Sequence, residues 1–163
     1  LSAQDRVYTL IQGIAVAQDG TSASLTAPND QAQEKLLRSA LADGGLLGGD
    51  VDYLEAHGTG TSLGDPIEMG AVANVLGKDR GENCPLVMGA TKADIGHLEP
   101  AAGVASLFKV VLVLKHEQAP PNPALKSLTP KIGAVVEGFP VQFPVELQSL
   151  RHDKSDELPR WTA

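Results

Sequence analysis

The chain alternates short apolar runs that close on glycine with longer stretches whose apolar positions recur at helical spacing. "RVYTLIQGIAVAQDG", residues 6–20, is rich in β-branched and aliphatic side chains and ends in a turn signal, which predicts a strand. In "APNDQAQEKLLRSALADGG" the residues Leu36, Leu37, Ala40 and Leu41 share one helical face. Asn29 or Asp30 stands at the N-cap there, and Gly44 closes the last turn. "VDYLEAHGTGT" runs apolar into a glycine cluster and predicts a short buried strand with His57 at its C-terminal end. "GDPIEMGAVANVLG" follows as a second helix, with Asp65 as N-cap, Pro66 in the first turn, Glu68 as capping-box partner and Gly77 as the stop.

The pattern then repeats. "PLVMGATKADIGH" predicts a strand ending at His97, and "EPAAGVASLFKVVLVLKHE" a long helix with Pro100 at its start. That helix is apolar almost all round, interrupted by Lys109, a pattern that predicts burial. The order β-α-β-α-β-α defines an α/β fold with a parallel or mixed sheet and covering helices, in which ligands lie beyond the carboxyl ends of the strands. Both histidines fall at such ends. After His116 the texture changes, because "QAPPNPALKSLTPK" holds four prolines and few apolar anchors. An irregular surface arm is expected, followed by short β-like pieces ("FPVQFPVEL") and a charged end, "RHDKSDELPR". On this reading residues of about 5–118 form the α/β core, and about 119–163 an arm and tail.

Composition narrows the function. With 163 residues and 42% hydrophobic content the chain is long enough for one domain with a real core. A net charge of −7 argues against a general binder of nucleic-acid backbones, which needs clustered Lys and Arg. The longest apolar stretch falls short of the roughly 20 residues a membrane span requires. The first ten residues lack the marks of a secretory signal and an initiator methionine, so a piece of a longer protein is expected. The single cysteine, Cys84, cannot form an internal disulfide, and a reducing, cytoplasmic compartment is the expectation. "GTGTSLGD" has neither phosphate-loop nor dinucleotide spacing, and the histidines lack zinc-ligand spacing.

A lone histidine at a strand end most often packs or caps. Two of them, each followed by a small-residue turn and a helix start, make a less ordinary pair. Lys92 and Glu99 flank His97 in sequence and are able to fix its tautomer and shift its basicity, or else they form a solvated surface pair. Thr59 and Thr61 either bond a polar chain entering the site or cap the turn.

"EAHGTGTSLGDPIE" together with "GATKADIGHLEPAAGVASLFKVVLVLKH" resembles the C-terminal half of a β-ketoacyl synthase domain, of the type found in modular polyketide synthases and multifunctional fatty acid synthases. The resemblance covers most of the chain, through "AVAQDG" and "LTAPN" to "FPVQFP". It implies a thiolase-type fold, a homodimer in the complete enzyme, and chain extension by decarboxylative Claisen condensation. It also implies that His57 and His97 assist decarboxylation of a malonyl-type extender and stabilise the enolate, with Lys92 and Glu99 supporting them. Thr59 and Thr61 then line the pantetheine entrance. No cofactor binds directly, because the phosphopantetheine arrives on an acyl carrier protein. Such an enzyme takes its acyl group on a cysteine that the resemblance assigns to the preceding N-terminal half, and Cys84, on a polar turn at the wrong end of its strand, is a poor substitute. Two departures from the family pattern stand out: Asp94 where Asn is common, and Ala17 where another Asn is common. A non-catalytic module that binds an acyl carrier protein or partner domain is the alternative reading.

Overall fold

In the computed structural model, which describes residues 7–18, 29–78 and 80–150, two adjacent parallel strands carry the centre of the fold. They are β1 (Tyr53–Glu55) and β2 (Leu86–Gly89), paired with Tyr53 opposite Val87, Leu54 opposite Met88 and Glu55 opposite Gly89. The connection between them is helix α2 (Gly64–Leu76). Further on, β4 (Val141–Gln142) pairs with the other side of β2, also in parallel, giving a three-stranded sheet in the order β1-β2-β4. A separate antiparallel pair joins β3 (Gln118–Ala119) to β5 (Gln148–Ser149).

Strand alternation sorts the core into two layers. Leu54, Leu86 and Met88 point to one face, where they pack with Val51 and with Met69, Val72, Val75 and Leu76 of α2. Helix α1 (Asp30–Gly44) covers α2 with Leu37 and Leu41, while α5 (Pro130–Val135) adds Ile132 and Val135. Tyr53 and Val87 point to the opposite face and meet Val110 and Val113 of α4 (Ala102–His116). Each fully buried Val, Leu or Met contributes about 1.5–3 kcal/mol of transfer free energy, so the α2 face, with the larger cluster, holds most of the hydrophobic stabilisation.

Local signals and tertiary structure disagree at several points. Helix α1 takes Asn29 as its N-cap, its side chain accepting from the N–H of Ala32, and ends on Gly45 at φ 65°. That stop lies one residue past the expected Gly44. The run from residue 7 to residue 18 is not a strand: Leu10, Ile11, Ile14 and Val16 are exposed, and among the described residues no neighbour strand lies alongside. Within this run the N–H of Ile14 donates to the side chain of Asp43 at 2.9 Å rather than to a neighbouring strand. Residues 19–28, with Asp19, Gly20 and most of "LTAPN", and residues 151–163, with the charged end, lie outside the described residues.

Helix α2 begins at Gly64 rather than behind Asp65, and its anticipated capping pair is taken up by the preceding loop. Strand β2 stops at Gly89, eight residues before His97. A single turn of helix, α3 (Lys92–Ile95), and a 3₁₀ turn at Glu99–Ala101 intervene before α4, so His97 sits in a loop and not at a strand end. Helix α4 is less buried than its apolarity predicts. Ala102, Val110 and Val113 are enclosed, whereas Val104, Leu107, Phe108 and Leu112 remain exposed. From Gln118 the chain runs largely as turns, into which β3, α5, β4 and β5 are set. Among the described residues no helix is long and apolar enough to cross a membrane.

One buried cation ties the fold's lower end. Arg80 donates to the carbonyls of Leu76 (3.0 Å), Cys84 (2.9 Å), Gly48 (2.8 Å) and Val51, joining the end of α2 to the turns before β1 and β2. Burial lowers its basicity, and Asp52 and Cys84 oppose that shift. Replacing Arg80 with Met should strand these carbonyls and lower the unfolding free energy by about 3 kcal/mol or more, read as a shift of the denaturant midpoint. An unchanged midpoint would mean that water satisfies the carbonyls.

Candidate active site

Because β1 and β2 are parallel and adjacent, their carboxyl ends open on the same side, and the N–H of Ala56 extends the pairing to Gly89 at 2.8 Å. Two loops leave from there: residues 56–63 to α2, and residues 90–98 to α4. His57 rides on the first loop and His97 on the second. Their rings meet edge to face with centroids 5.9 Å apart, within reach of one small ligand group. Both are exposed.

The hydrogen bonds around the rings fix their tautomers. The backbone N–H of Glu99 donates to Nδ1 of His97 at 2.9 Å, which leaves the proton of the neutral ring on Nε2. Glu99 presents that N–H from a left-handed backbone, φ 50°, a conformation that costs a non-glycine residue about 1–2 kcal/mol. Lys92 places its Nζ 3.4 Å from Nδ1 of His57, and an ammonium has only protons to offer, so His57 too carries its proton on Nε2. Both imidazoles are set as Nε2–H donors. Glu99 thus touches its histidine through the main chain rather than through its carboxylate.

The first loop is strapped by two carboxylates of α2. Glu68 accepts from the N–H groups of His57 (2.6 Å) and Gly58 (3.0 Å), and Asp65 accepts from Gly60 (3.1 Å). This use displaces the capping duties their spacing predicts. The N–H of Gly64, at the start of the helix, goes to Oγ1 of Thr61 at 3.0 Å. Gly58 has φ 48°, and a Cβ there would lie 2.8 Å from the Cβ of Ala90, so the loop's close packing needs glycine. Thr59 lies 3.5 Å from Thr61, hydroxyl to hydroxyl.

Two cavities adjoin at Thr59 and Glu68. One, of about 520 Å³, is lined by Lys92, Gly96 and His97 on its polar side and by Met69, Leu125 and Phe143 on its apolar side. The other, of about 470 Å³, is lined by His57, Thr59, Thr61 and leucines of α1. The arm after α4 is anchored beside the first by buried Asn122, whose side chain accepts from Ala90 and donates to Met88 (3.1 Å) and Pro144 (3.2 Å). All six residues singled out by sequence therefore lie in or beside one region. Cys84 is exposed, ahead of the amino end of β2. Among the described residues no group of three or more His, Cys, Asp or Glu side chains is arranged to hold a metal ion.

A second polar cluster, which sequence reasoning missed, lies on the α4 face of the same strand ends. Glu55 accepts from the hydroxyls of Tyr53 (2.7 Å) and Thr91 (2.6 Å) and from the N–H of Thr91. Lys109 of α4 stands 3.1 Å from Glu55 and 3.8 Å from Asp94. Burial first, then the neighbouring Glu55 carboxylate and its hydrogen bond, hold the Tyr53 phenol protonated far above its usual range, with Asp94 adding to the effect. The signals were present: an acidic residue two positions after Tyr53 on a buried strand, and one lysine inside an apolar helix.

The two imidazoles thus meet beyond the carboxyl ends of parallel strands, the place where an α/β fold presents its ligand-binding groups. The β-ketoacyl synthase C-terminal domain model matches residues 8–126, and the chain belongs to that family. A phenolphthiocerol/phthiocerol polyketide synthase subunit of Mycobacterium tuberculosis is 50% identical over 128 residues, which is 78% of this chain and 7% of that protein. Erythronolide synthase EryA3 of Saccharopolyspora erythraea is 50% identical over 114 residues, 70% of this chain and 4% of that protein. Among solved structures, the Streptomyces albus JA3453 oxazolomycin ketosynthase domain OzmH KS7 superposes with a TM-score of 0.82 at 35% identity, covering 90% of this chain and 25% of that one. The fold is the thiolase type of ketosynthase domains.

Gly89 is the position where the buried cluster and the sheet meet. A Cβ there would lie 2.3 Å from the Tyr53 hydroxyl, 3.0 Å from Lys109 Nζ and 3.1 Å from Glu55. Gly89→Ala should lower stability by about 2 kcal/mol or more, and adding Tyr53→Phe, which removes the nearest atom, should restore part of it in chemical denaturation. Additive losses in the double variant would contradict this account.

Proposed function

We propose that this chain supplies the decarboxylating half of a ketosynthase active site in a polyketide or fatty acid synthase. The observation that carries the reading is the pair of Nε2–H imidazoles, 5.9 Å apart between centroids, with His97 lining one of two adjoining cavities and His57 the other. When a malonyl-type thioester loses carbon dioxide, the electron pair of the breaking C–C bond moves into an enolate and negative charge gathers on the thioester oxygen. Two preorganised N–H donors aimed at that oxygen lower the barrier. The enolate carbon then attacks the carbonyl of an acyl-cysteine, and the C–S bond to that cysteine breaks.

In this reading the cysteine lies in a partner half outside these residues, since Cys84 sits at the opposite end of β2 from both histidines. Lys92 orients His57 through Nδ1, and Glu99 orients His97 through its backbone N–H. Thr59 and Thr61, with the glycines between and around them, line the entrance for a phosphopantetheine arm carried by an acyl carrier protein. The exposed apolar stripe of α4, Val104, Leu107, Phe108 and Leu112, supports an assembled, dimeric enzyme in which this face is covered.

In the complete synthase, His57→Ala and His97→Ala should each lower malonyl-carrier decarboxylation by about 10²- to 10³-fold. Lys92→Ala should lower the rate by a smaller factor while the melting temperature stays near that of the parent. Retained decarboxylation in both histidine variants would remove the reading. The chain by itself should show no acylation of Cys84 from a labelled acyl-pantetheine donor and no β-keto product, whereas the non-catalytic alternative predicts carrier binding with no decarboxylation even in the complete protein.

A further inference from the structure

Helix α3 is four residues long and none of them is buried, yet it carries Lys92 against His57. A single turn does not hold itself in water, because its nucleation fixes several residues for one hydrogen bond. Its anchors run through two carboxylates. Thr91, just before Lys92, donates both its N–H and its hydroxyl to Oε1 of Glu55. Asp94, two residues after Lys92, has Oδ2 3.8 Å from Nζ of Lys109, and that same Nζ is 3.1 Å from the other oxygen of Glu55. Lys92 is therefore bracketed on both sides by groups that converge on one buried ammonium.

We propose that Lys109 is a positioning residue for the Lys92–His57 pair, holding α3 in place through Glu55 and Thr91 on one side and Asp94 on the other; this rests on the functional reading above. An exposed ion pair would be too weak to do so. Here the side chains of Lys109 and Glu55 are 12% and 1% exposed, and loss of either partner leaves an uncompensated buried charge. Glu55 lies on the α4 side because it is two residues from Tyr53 along β1, and Gly89 opposite it leaves the space that the Tyr53 hydroxyl, Lys109 and Glu55 share. The cluster also accounts for Asp94, which offers an oxygen to Lys109; an asparagine at the same place would offer one as well. The carboxylate is thereby engaged on the α4 side of the loop.

The test uses the complete synthase and steady-state decarboxylation of a malonyl-loaded carrier. Lys109→Met, which keeps the chain length and removes the charge, should lower kcat by about tenfold or more with KM changed less than about twofold. Lys92→Ala combined with Lys109→Met should be no slower than Lys92→Ala alone, because the two act in series. Independent, multiplying losses would overturn the proposal, since a merely structural lysine would slow the Lys92→Ala enzyme further. Should Lys109→Met fail to fold, the more exposed Asp94 takes its place: Asp94→Ala should lower kcat and Asp94→Asn should retain more of it, while equal rates for Asp94→Ala and the parent would overturn the proposal. A crystal structure of the Lys109→Met or Asp94→Ala protein separates the two levels. Lys92 still seated on Nδ1 of His57 refutes the positioning role whatever the activity, whereas a displaced Lys92 in a protein whose parent never decarboxylates malonyl thioesters supports the positioning and refutes the functional reading.

Discussion

The parallel pairing of β1 with β2, in the register that sets Glu55 opposite Gly89, is the constraint on which the rest of the site depends. Parallel neighbours end on the same side, so the loops that follow them must share one region of space. A slip of one residue would exchange the two faces. Glu55 and Tyr53 would then enter the apolar layer of Met69, Val72 and Val75, and Leu54 would face Lys109. The cost of burying those polar groups without partners makes this register strongly preferred. Fold and site are therefore set by the same alternation.

From that register the two loops acquire separate straps of similar chemistry. On the α2 side Glu68 takes two consecutive backbone N–H groups at His57 and Gly58, and on the α4 side Glu55 takes the N–H and hydroxyl of Thr91. In both cases a carboxylate on a regular element holds main chain that has no regular structure or only one turn of it. Charge-assisted bonds suit this purpose, being shorter and stronger than those between neutral groups. The difference lies in the neighbour: Glu55 faces a buried lysine, whereas Glu68 faces the cavities beside the histidines.

The alternation of strand and helix was legible from β1 to α4, because apolar runs ending in glycine and helical spacing are local patterns. His57, just past the end of β1, was legible for the same reason, since strand-end positions follow from element order, whereas His97 reaches the same region from a loop behind α3. What local patterns do not carry is which distant group satisfies a polar atom. Asp65 and Glu68 have ideal capping spacing, yet loop N–H groups claim them. The run from residue 7 to residue 18 has strand composition and lacks a neighbouring strand among the described residues. His97 was expected at a strand end because Ala90–Gly96 adds no strong breaker before its glycine, whereas in the fold Thr91 is captured by Glu55 and turns the chain into α3. Glu55 and Lys109 carry meaning only as partners, 54 positions apart by their numbering, and no periodicity joins them.

The two faces of the sheet are closed to different degrees, and the site straddles the difference. The α2 face is sealed by α1, α2 and α5, while α4 covers the other face and leaves Val104, Leu107, Phe108 and Leu112 in solvent. Residues three and four apart on a helix share a side, so Val104, Phe108 and Leu112 form one stripe with Leu107 beside it. Lys109 is next to Phe108 in sequence but turned inward to Glu55, so a single helix presents an apolar stripe outward and one cation inward. Whatever covers the stripe would bear on the same helix that anchors the Lys92 loop.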